Sequence, residues 1–147
     1  MKLVIISGLS GSGKSVALHT LEDEDYYCVD NLPIGLLPQF IERILSRRVQ
    51  LYDMIAVGID ARSDSEDLRD FNTIIEWIQQ RDKETKIEIE IIYIQAELDT
   101  LIKRFSDTRR KHPLTKKGLP LSEAIEVERN LLKEVATAAN LYIDTTY

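Results

Sequence analysis

Residues 3–15 read Leu3-Val4-Ile5-Ile6-Ser7-Gly8-Leu9-Ser10-Gly11-Ser12-Gly13-Lys14-Ser15. Leu3–Ser7 is a short, largely β-branched run ending at Gly8, the pattern of a buried strand. Gly8–Ser15 then matches G-x-x-x-x-G-K-[ST]. Lys14–Glu24 continues as a helix whose apolar residues are Val16, Leu18 and Leu21. A strand before the motif and a helix after it are the neighbours its chemistry requires. The glycines let the backbone curl so that successive N–H groups point inward as an anion nest. The helix start adds its positive dipole end. Lys14 can reach β- and γ-phosphates, and the Ser15 hydroxyl can ligate Mg²⁺. Gly8, Leu9, Ser10, Gly11, Ser12, Gly13, Lys14 and Ser15 are therefore expected to cradle the phosphates of ATP or GTP, with Lys14 as the neutralising cation.

Outward from that loop, strand and helix patterns alternate. Tyr26–Val29 is a second strand, stopped by Asp30, Asn31 and Pro33. Leu36–Arg48 has Leu37, Phe40, Ile41, Ile44 and Leu45 at helical spacing. Met54–Ile59 is a third strand, closed by Asp60, and Ser65–Arg81 a helix with Leu68, Phe71, Ile74, Ile75 and Ile78 on one face. Ile87–Ile94 is a fourth strand and Leu98–Phe105 a helix. Ser106–Pro120 breaks the pattern with Pro113, Gly118, Pro120 and many charges. Leu121–Asn140 reads as a long helix and Leu141–Asp144 as a fifth strand. Strands alternating with helices imply βαβ units on a parallel sheet. The predicted fold is a three-layer α/β P-loop NTPase domain with a five-stranded, mainly parallel sheet.

Composition agrees. A chain of 147 residues is one domain by length. Hydrophobic residues make up 44% and charged residues 30%, which excludes a disordered, collagenous or membrane-spanning chain. The single cysteine, Cys28, excludes a disulfide framework and a multi-cysteine zinc site. A net charge of −6 argues against binding nucleic acid through bulk charge alone. The apolar run Leu3–Ile6 is too short for a signal-peptide core, so the expected location is cytoplasmic. The chain stops soon after a strand with no covering helix, which leaves a fragment of a longer protein as one expectation.

Mg²⁺ needs a carboxylate, commonly at the end of a strand beside the first. Asp60 is favoured for that role, with Asp30 as its rival; Asp30 and Asn31 would then face a second substrate. Asp64 or Ser65 could cap the following helix. Between Lys103 and Lys117 the chain carries a net +6, leaving −12 on the remainder. Such polarity points to a local anionic partner. Arg104, Arg109 or Arg110 could reach over a γ-phosphate as part of a lid that excludes water. Contact with an RNA backbone and a solvated charged loop are the alternatives. His19 and His112 are expected to be ordinary surface residues, and Cys28 and Trp77 to pack in the interior.

Three segments together carry a resemblance: GLSGSGKS over Gly8–Ser15, YCVDNLP over Tyr27–Pro33, and RFSDTRRKHPL over Arg104–Leu114. The closing Ile143-Asp144-Thr145-Thr146 agrees with it. The chain resembles the bacterial RapZ/YvcJ family of RNase adapter and nucleotide-binding proteins along essentially its whole length. The resemblance implies ATP and GTP binding, weak hydrolysis, and a domain like a small nucleotide or metabolite kinase. It also implies a second nucleotide motif, associated with GTP, at Asp60-Ala61-Arg62-Ser63. Enterobacterial members bind small RNAs and deliver them to an endoribonuclease, controlling amino-sugar synthesis; their C-terminal domain carries much of the RNA and metabolite binding, and the resemblance makes this chain the N-terminal half of such a longer protein.

The expected activity is Mg²⁺-dependent binding and slow hydrolysis of ATP or GTP. Ser15 and Asp60 would hold the metal, with Arg109 or Arg110 closing over the γ-phosphate. A kinase of a small metabolite and a non-hydrolysing nucleotide sensor are the rivals. Leu36–Arg48 or Leu121–Asn140 could pack on a second subunit or simply cover the sheet.

Overall fold

The computed structural model describes residues 1–46, 53–81, 87–108, 111–115 and 118–146. In chain order the elements are β1 (Lys2–Gly8), α1 (Lys14–Asp23), β2 (Tyr27–Val29), α2 (Leu37–Leu45), β3 (Met54–Ile59), α3 (Ser65–Arg69), α4 (Phe71–Arg81), β4 (Glu88–Gln95), α5 (Leu98–Thr108), α6 (Leu121–Leu131), α7 (Lys133–Ala138) and β5 (Leu141–Asp144). A 3-10 turn over Ile34–Leu36 leads into α2. The strands form one sheet in the order β2-β3-β1-β4-β5. Every pairing in it is parallel, with Ile5 of β1 opposite Val57 and Ile91.

Alternation along the strands divides the interior into layers. Leu3, Ile5, Ile55, Val57, Ile91 and Tyr93 point to one face, where they meet Leu37, Ile41 and Ile44 of α2, Phe71 and Ile78 of α4 and Val135 of α7. Val4, Ile6, Ala56 and Ile94 point to the other face and pack on Leu18 of α1. A third cluster joins Leu9, Ala96, Leu101 of α5 and Ile125 of α6 beyond the strand ends.

The connection leaving β1 therefore covers one face, and the connection leaving β3 covers the other. Two neighbouring parallel strands whose connections diverge in this way leave a crevice at their carboxyl ends. Gly8–Lys14 and Asp60 border that crevice.

Two helices read as continuous in the sequence are each broken in two. Ser65–Arg81 divides at Asp70, where backbone angles of −87° and 13° interrupt the helix between buried Leu68 and Phe71. Leu121–Asn140 divides at Leu132, with angles of −95° and 7°. The second break has a packing reason. Ile125 belongs to the cluster beyond the strand ends, whereas Leu132 and Val135 belong to the sheet face. Reorientation at Leu132 lets one stretch of chain serve both. α5 also runs on to Thr108, past the expected break at Ser106.

Asp64 caps α3 by accepting the amides of Glu66 at 2.9 Å and Asp67 at 3.3 Å. Asp64→Ala is expected to lower stability by about 1 kcal/mol, the usual worth of such a cap, read as a shift in urea midpoint. Among the described residues no helix is long and apolar enough to cross a membrane.

Candidate functional site

The loop between β1 and α1 is built on a close approach of two backbones. Leu9 N–H donates to the Ile94 carbonyl at 3.1 Å, tying the loop to β4. A side chain at Gly8 would place its Cβ 2.2 Å from the Ile94 oxygen, so only glycine fits. Ser12 N–H donates to the Leu9 carbonyl at 3.0 Å and closes the turn. Gly13 then sits at the start of α1 with φ 116°, in a region that L side chains rarely adopt. No side chain caps α1. Its first amides, at Gly13, Lys14 and Ser15, have no intrahelical acceptor, as at any helix start. They border a cleft of about 450 Å³ lined by Ser10, Gly11, Lys14, Ser15, Asp30 and Asp60 among others.

Lys14 lies between two carboxylates in that cleft. Its Nζ is 3.2 Å from Asp60 Oδ2 and 3.5 Å from Asp30 Oδ1. Gly58 allows the Asp30 approach, because a Cβ there would fall 2.5 Å from Asp30 Oδ1. The two acids differ in environment. Asp60 is 4% exposed, whereas half of the Asp30 side chain faces solvent. Arg62 folds back on Asp60, donating from its backbone N–H to Oδ1 at 2.8 Å and from Nη2 to Oδ2 at 2.6 Å. Burial pushes the Asp60 carboxyl up, but the Arg62 guanidinium and the Lys14 ammonium override it and hold the carboxyl at about 2.

This has a consequence in acid. A value below the ordinary 3.8 means that the pairing stabilises the fold above about pH 4 and is lost as pH falls through about 2. The contribution is no more than about 2 kcal/mol, because Arg62 is itself half exposed to solvent. Unfolding free energy followed from pH 5 to pH 2 should fall more steeply for the native chain than for Asp60→Asn.

Ala61 and Ser63 face away from the cleft. Ala61 packs in the core, and Ser63 Oγ accepts the Ile34 amide at 3.2 Å, tying the turn before α2 to the end of β3. Arg104 is committed to the loop: its Nη1 donates to the Gly11 carbonyl at 3.0 Å and to Thr145 Oγ1 at 3.0 Å. The Thr145 hydroxyl in turn donates to the Ser12 carbonyl, and Thr145 N–H to the Gln95 carbonyl at 2.8 Å. Arg109 and Arg110 lie outside the described residues, between Thr108 and Lys111, which line the cleft.

A buried polar group that the sequence reading missed adjoins the loop. Glu128 of α6 has no exposure; it accepts Ser10 N–H at 2.8 Å and the Ser10 hydroxyl at 2.5 Å. His112, expected at the surface, is 1% exposed and contacts Glu128 Oε1 through Nε2 at 3.1 Å. The available signal was a charged residue where the spacing of Leu121, Ile125 and Leu132 calls for an apolar one. Trp77 also departs from expectation, being 41% exposed. Cys28 packs partly buried on the α1 face, where burial pushes its thiol up, unlike a reactive thiolate.

Solved structures of similar shape include small-molecule kinases. A sugar kinase from Janibacter sp. aligns at TM-score 0.59 and 15% identity, over 99% of this chain and 86% of that one. The YorR protein of Bacillus subtilis, in complex with phosphorylated GDP, aligns at TM-score 0.56 and 15% identity, over 98% and 85% of the two chains. At such identities the likeness speaks for the fold alone. Among curated proteins, a nucleotide-binding protein of Thioalkalivibrio sulfidiphilus is 51% identical over 99% of this chain and 50% of its own length. One of Methylococcus capsulatus is 52% identical over 100% of this chain and 48% of its own. The chain thus spans about half the length of the curated relatives it matches. The model of the RapZ-like N-terminal domain matches residues 1–147, and with that identity across the same span the chain belongs to the RapZ-like N-terminal domain family.

Proposed function

We propose that the chain binds Mg²⁺-ATP or Mg²⁺-GTP on Gly8–Ser15 and hydrolyses it slowly. The observation that carries this reading is the uncapped start of α1 at Gly13, opening on a cleft in which Lys14 is held between Asp60 and Asp30. Relatives named as nucleotide-binding proteins support it.

In this reading the amides of Gly13, Lys14 and Ser15 donate to phosphate oxygens, and Lys14 turns from the aspartates to the phosphates. The donor set suits Mg²⁺, a hard cation that takes hydroxyl, carboxylate and phosphate oxygens. Ser15 and Asp60 would hold it, with Asp30 as the second carboxylate on the same wall. When bound, the ion would neutralise charge on the β- and γ-phosphates. Arg104 and Thr145 keep the loop from opening. Arg109 and Arg110, next to cleft-lining Thr108 and Lys111, would close over the γ-phosphate.

Phosphate release from Mg²⁺-ATP and Mg²⁺-GTP, run beside Lys14→Ala, tests the reading. Release that disappears in the variant supports hydrolysis at this loop, and equal release in both chains rejects it.

A second reading is favoured by Asp30, half exposed in the cleft and 3.5 Å from Lys14. A carboxylate so placed can accept a proton from an acceptor hydroxyl, which would make the domain a kinase of a small metabolite. Transfer of labelled γ-phosphate to a metabolite would distinguish it. By the family resemblance, the full-length protein would be a cytoplasmic RNase adapter that presents small RNAs to an endoribonuclease, with this domain sensing nucleotide.

A further inference from the structure

Ser10 lies in the glycine-rich loop, yet both of its donors are taken by one side chain. Both the amide and the hydroxyl go to Glu128, at 2.8 and 2.5 Å. The hydroxyl distance is that of a strong bond between an O–H and a carboxylate. Glu128 comes from α6, 118 residues along the chain, and is fully buried. Among the described residues the third donor to Glu128 is His112, in the basic segment after α5. Leu114 N–H donates to His112 Nδ1 at 3.1 Å, so Nδ1 is the acceptor and Nε2–H donates to Glu128 Oε1. The ring also packs on Phe105, 5.5 Å away between centroids, and Phe105 lies against Gly11.

We propose that Glu128 is a positioning residue for the nucleotide loop, and that His112 links it to the basic segment, so that segment and loop adopt their geometry together. A carboxyl group without exposure needs its oxygens paired. Among the described residues, two of its three donors belong to Ser10 and one to His112. If the loop moves at Ser10, the carboxyl group loses the larger share of its partners. If the segment moves at His112, the ring no longer holds the carboxyl group for Ser10. The first half of the loop is thereby a structural fixture, while phosphate is left to Gly13, Lys14 and Ser15. Lys111 and Pro113, beside His112, line the same cleft as Lys14. An anion that displaces this segment would therefore change the loop as well. The proposal rests on the nucleotide reading given above.

The test combines backbone amide hydrogen exchange over residues 9–13, without nucleotide, with Kd and kcat for Mg²⁺-ATP and Mg²⁺-GTP. The chains compared are the native one, Glu128→Ala, Glu128→Gln, His112→Ala and Lys14→Ala. Glu128→Ala is expected to speed exchange at residues 9–13 and to weaken nucleotide binding, each by at least about 10-fold, since two bonds from Ser10 to a charged group are lost. Glu128→Gln keeps the shape and the hydrogen-bond number, because the Ser10 hydroxyl can turn from donor to acceptor. It should stay within about 3-fold of the native chain. His112→Ala should speed exchange in the loop although none of its hydrogen bonds reaches the loop.

Should Glu128→Ala not fold, Glu128→Gln and His112→Ala carry the comparison. Unchanged exchange at residues 9–13 in folded His112→Ala overturns the proposal. So does native Kd in the Glu128→Ala or His112→Ala chain where Lys14→Ala has lost binding, an outcome that leaves the nucleotide reading intact. If the native chain binds neither nucleotide while exchange still responds to His112→Ala, the nucleotide reading fails and the link between segment and loop stands.

Discussion

Lys14→Ala is expected to weaken binding of Mg²⁺-ATP or Mg²⁺-GTP by at least about 100-fold and to abolish phosphate release. The size follows from what the ammonium leaves behind. Asp60 and Asp30 converge on Nζ from 3.2 and 3.5 Å. Without it Asp60 keeps Arg62, but Asp30 loses its ion-pair partner on the wall that a triphosphate must approach. The variant therefore loses an attraction and gains a repulsion at one point. Inside a partly water-excluded cleft both are stronger than they would be at a surface. Lys14→Arg is expected to restore only part of the affinity, since a planar fork does not fit where a compact ammonium sits between two acids. The fold should survive, as Asp60 keeps Arg62 and Lys14 lies outside the packed layers, and a urea midpoint lowered by no more than the part of the Asp60 pairing that Lys14 supplies would confirm that lost binding is local. Native affinity in Lys14→Ala would mean that phosphate is not bound at this loop.

The second large effect is on stability. Gly8→Ala is expected to cost about 3 kcal/mol or more and to lower Tm by roughly 10 °C. The added Cβ would lie 2.2 Å from the Ile94 oxygen and 3.0 Å from two further backbone atoms of the same residue. Those atoms belong to β4 at its pairing with β1, where Gly8 stands opposite Ile94. They cannot rotate away as a side chain could, so relief requires the central strands to part. The same shift would break the bond from Leu9 N–H to the Ile94 carbonyl, which anchors the loop. Nucleotide affinity should therefore fall along with Tm. A variant with native Tm would show that the sheet can yield there.

The strand, glycine-rich turn and helix at the start of the chain were legible because each follows from a local rule. A short continuous, largely β-branched run marks the strand, and the glycine-rich motif marks both the turn and the helix that opens at Lys14. Alternating elements led in the same way to a parallel sheet. The break at Asp70 was not legible, since residues on both sides of it keep helical spacing. The break at Leu132 was hidden for the same reason, and its cause is that Ile125 and Val135 pack on different clusters. Asp60 and Asp30 were both visible as acids closing strands. What the sequence could not express is that Arg62 grips one of them from two residues away while the other stays half exposed. A guanidinium near a carboxylate in sequence carries no sign of which way it folds.

Alone, the sequence determined the strand, glycine-rich turn and helix at the start of the chain, the α/β class and the family, because these depend on short-range spacing and on residue types at particular positions. Tertiary structure decided which distant groups meet at the loop. Asp60 reaches Lys14 because β3 lies beside β1 while their connections leave on opposite faces of the sheet. Thr145 and Arg104 meet at Ser12 and Gly11 because β5 and α5 end on the same side. Glu128, in a helix read as covering the sheet or a second subunit, and His112, read as a surface residue, are buried because the close of α6 and the segment after α5 pack together over Ser10. Burial of a polar group depends on the partner that satisfies it, and that partner is chosen by chain topology rather than by neighbours in sequence.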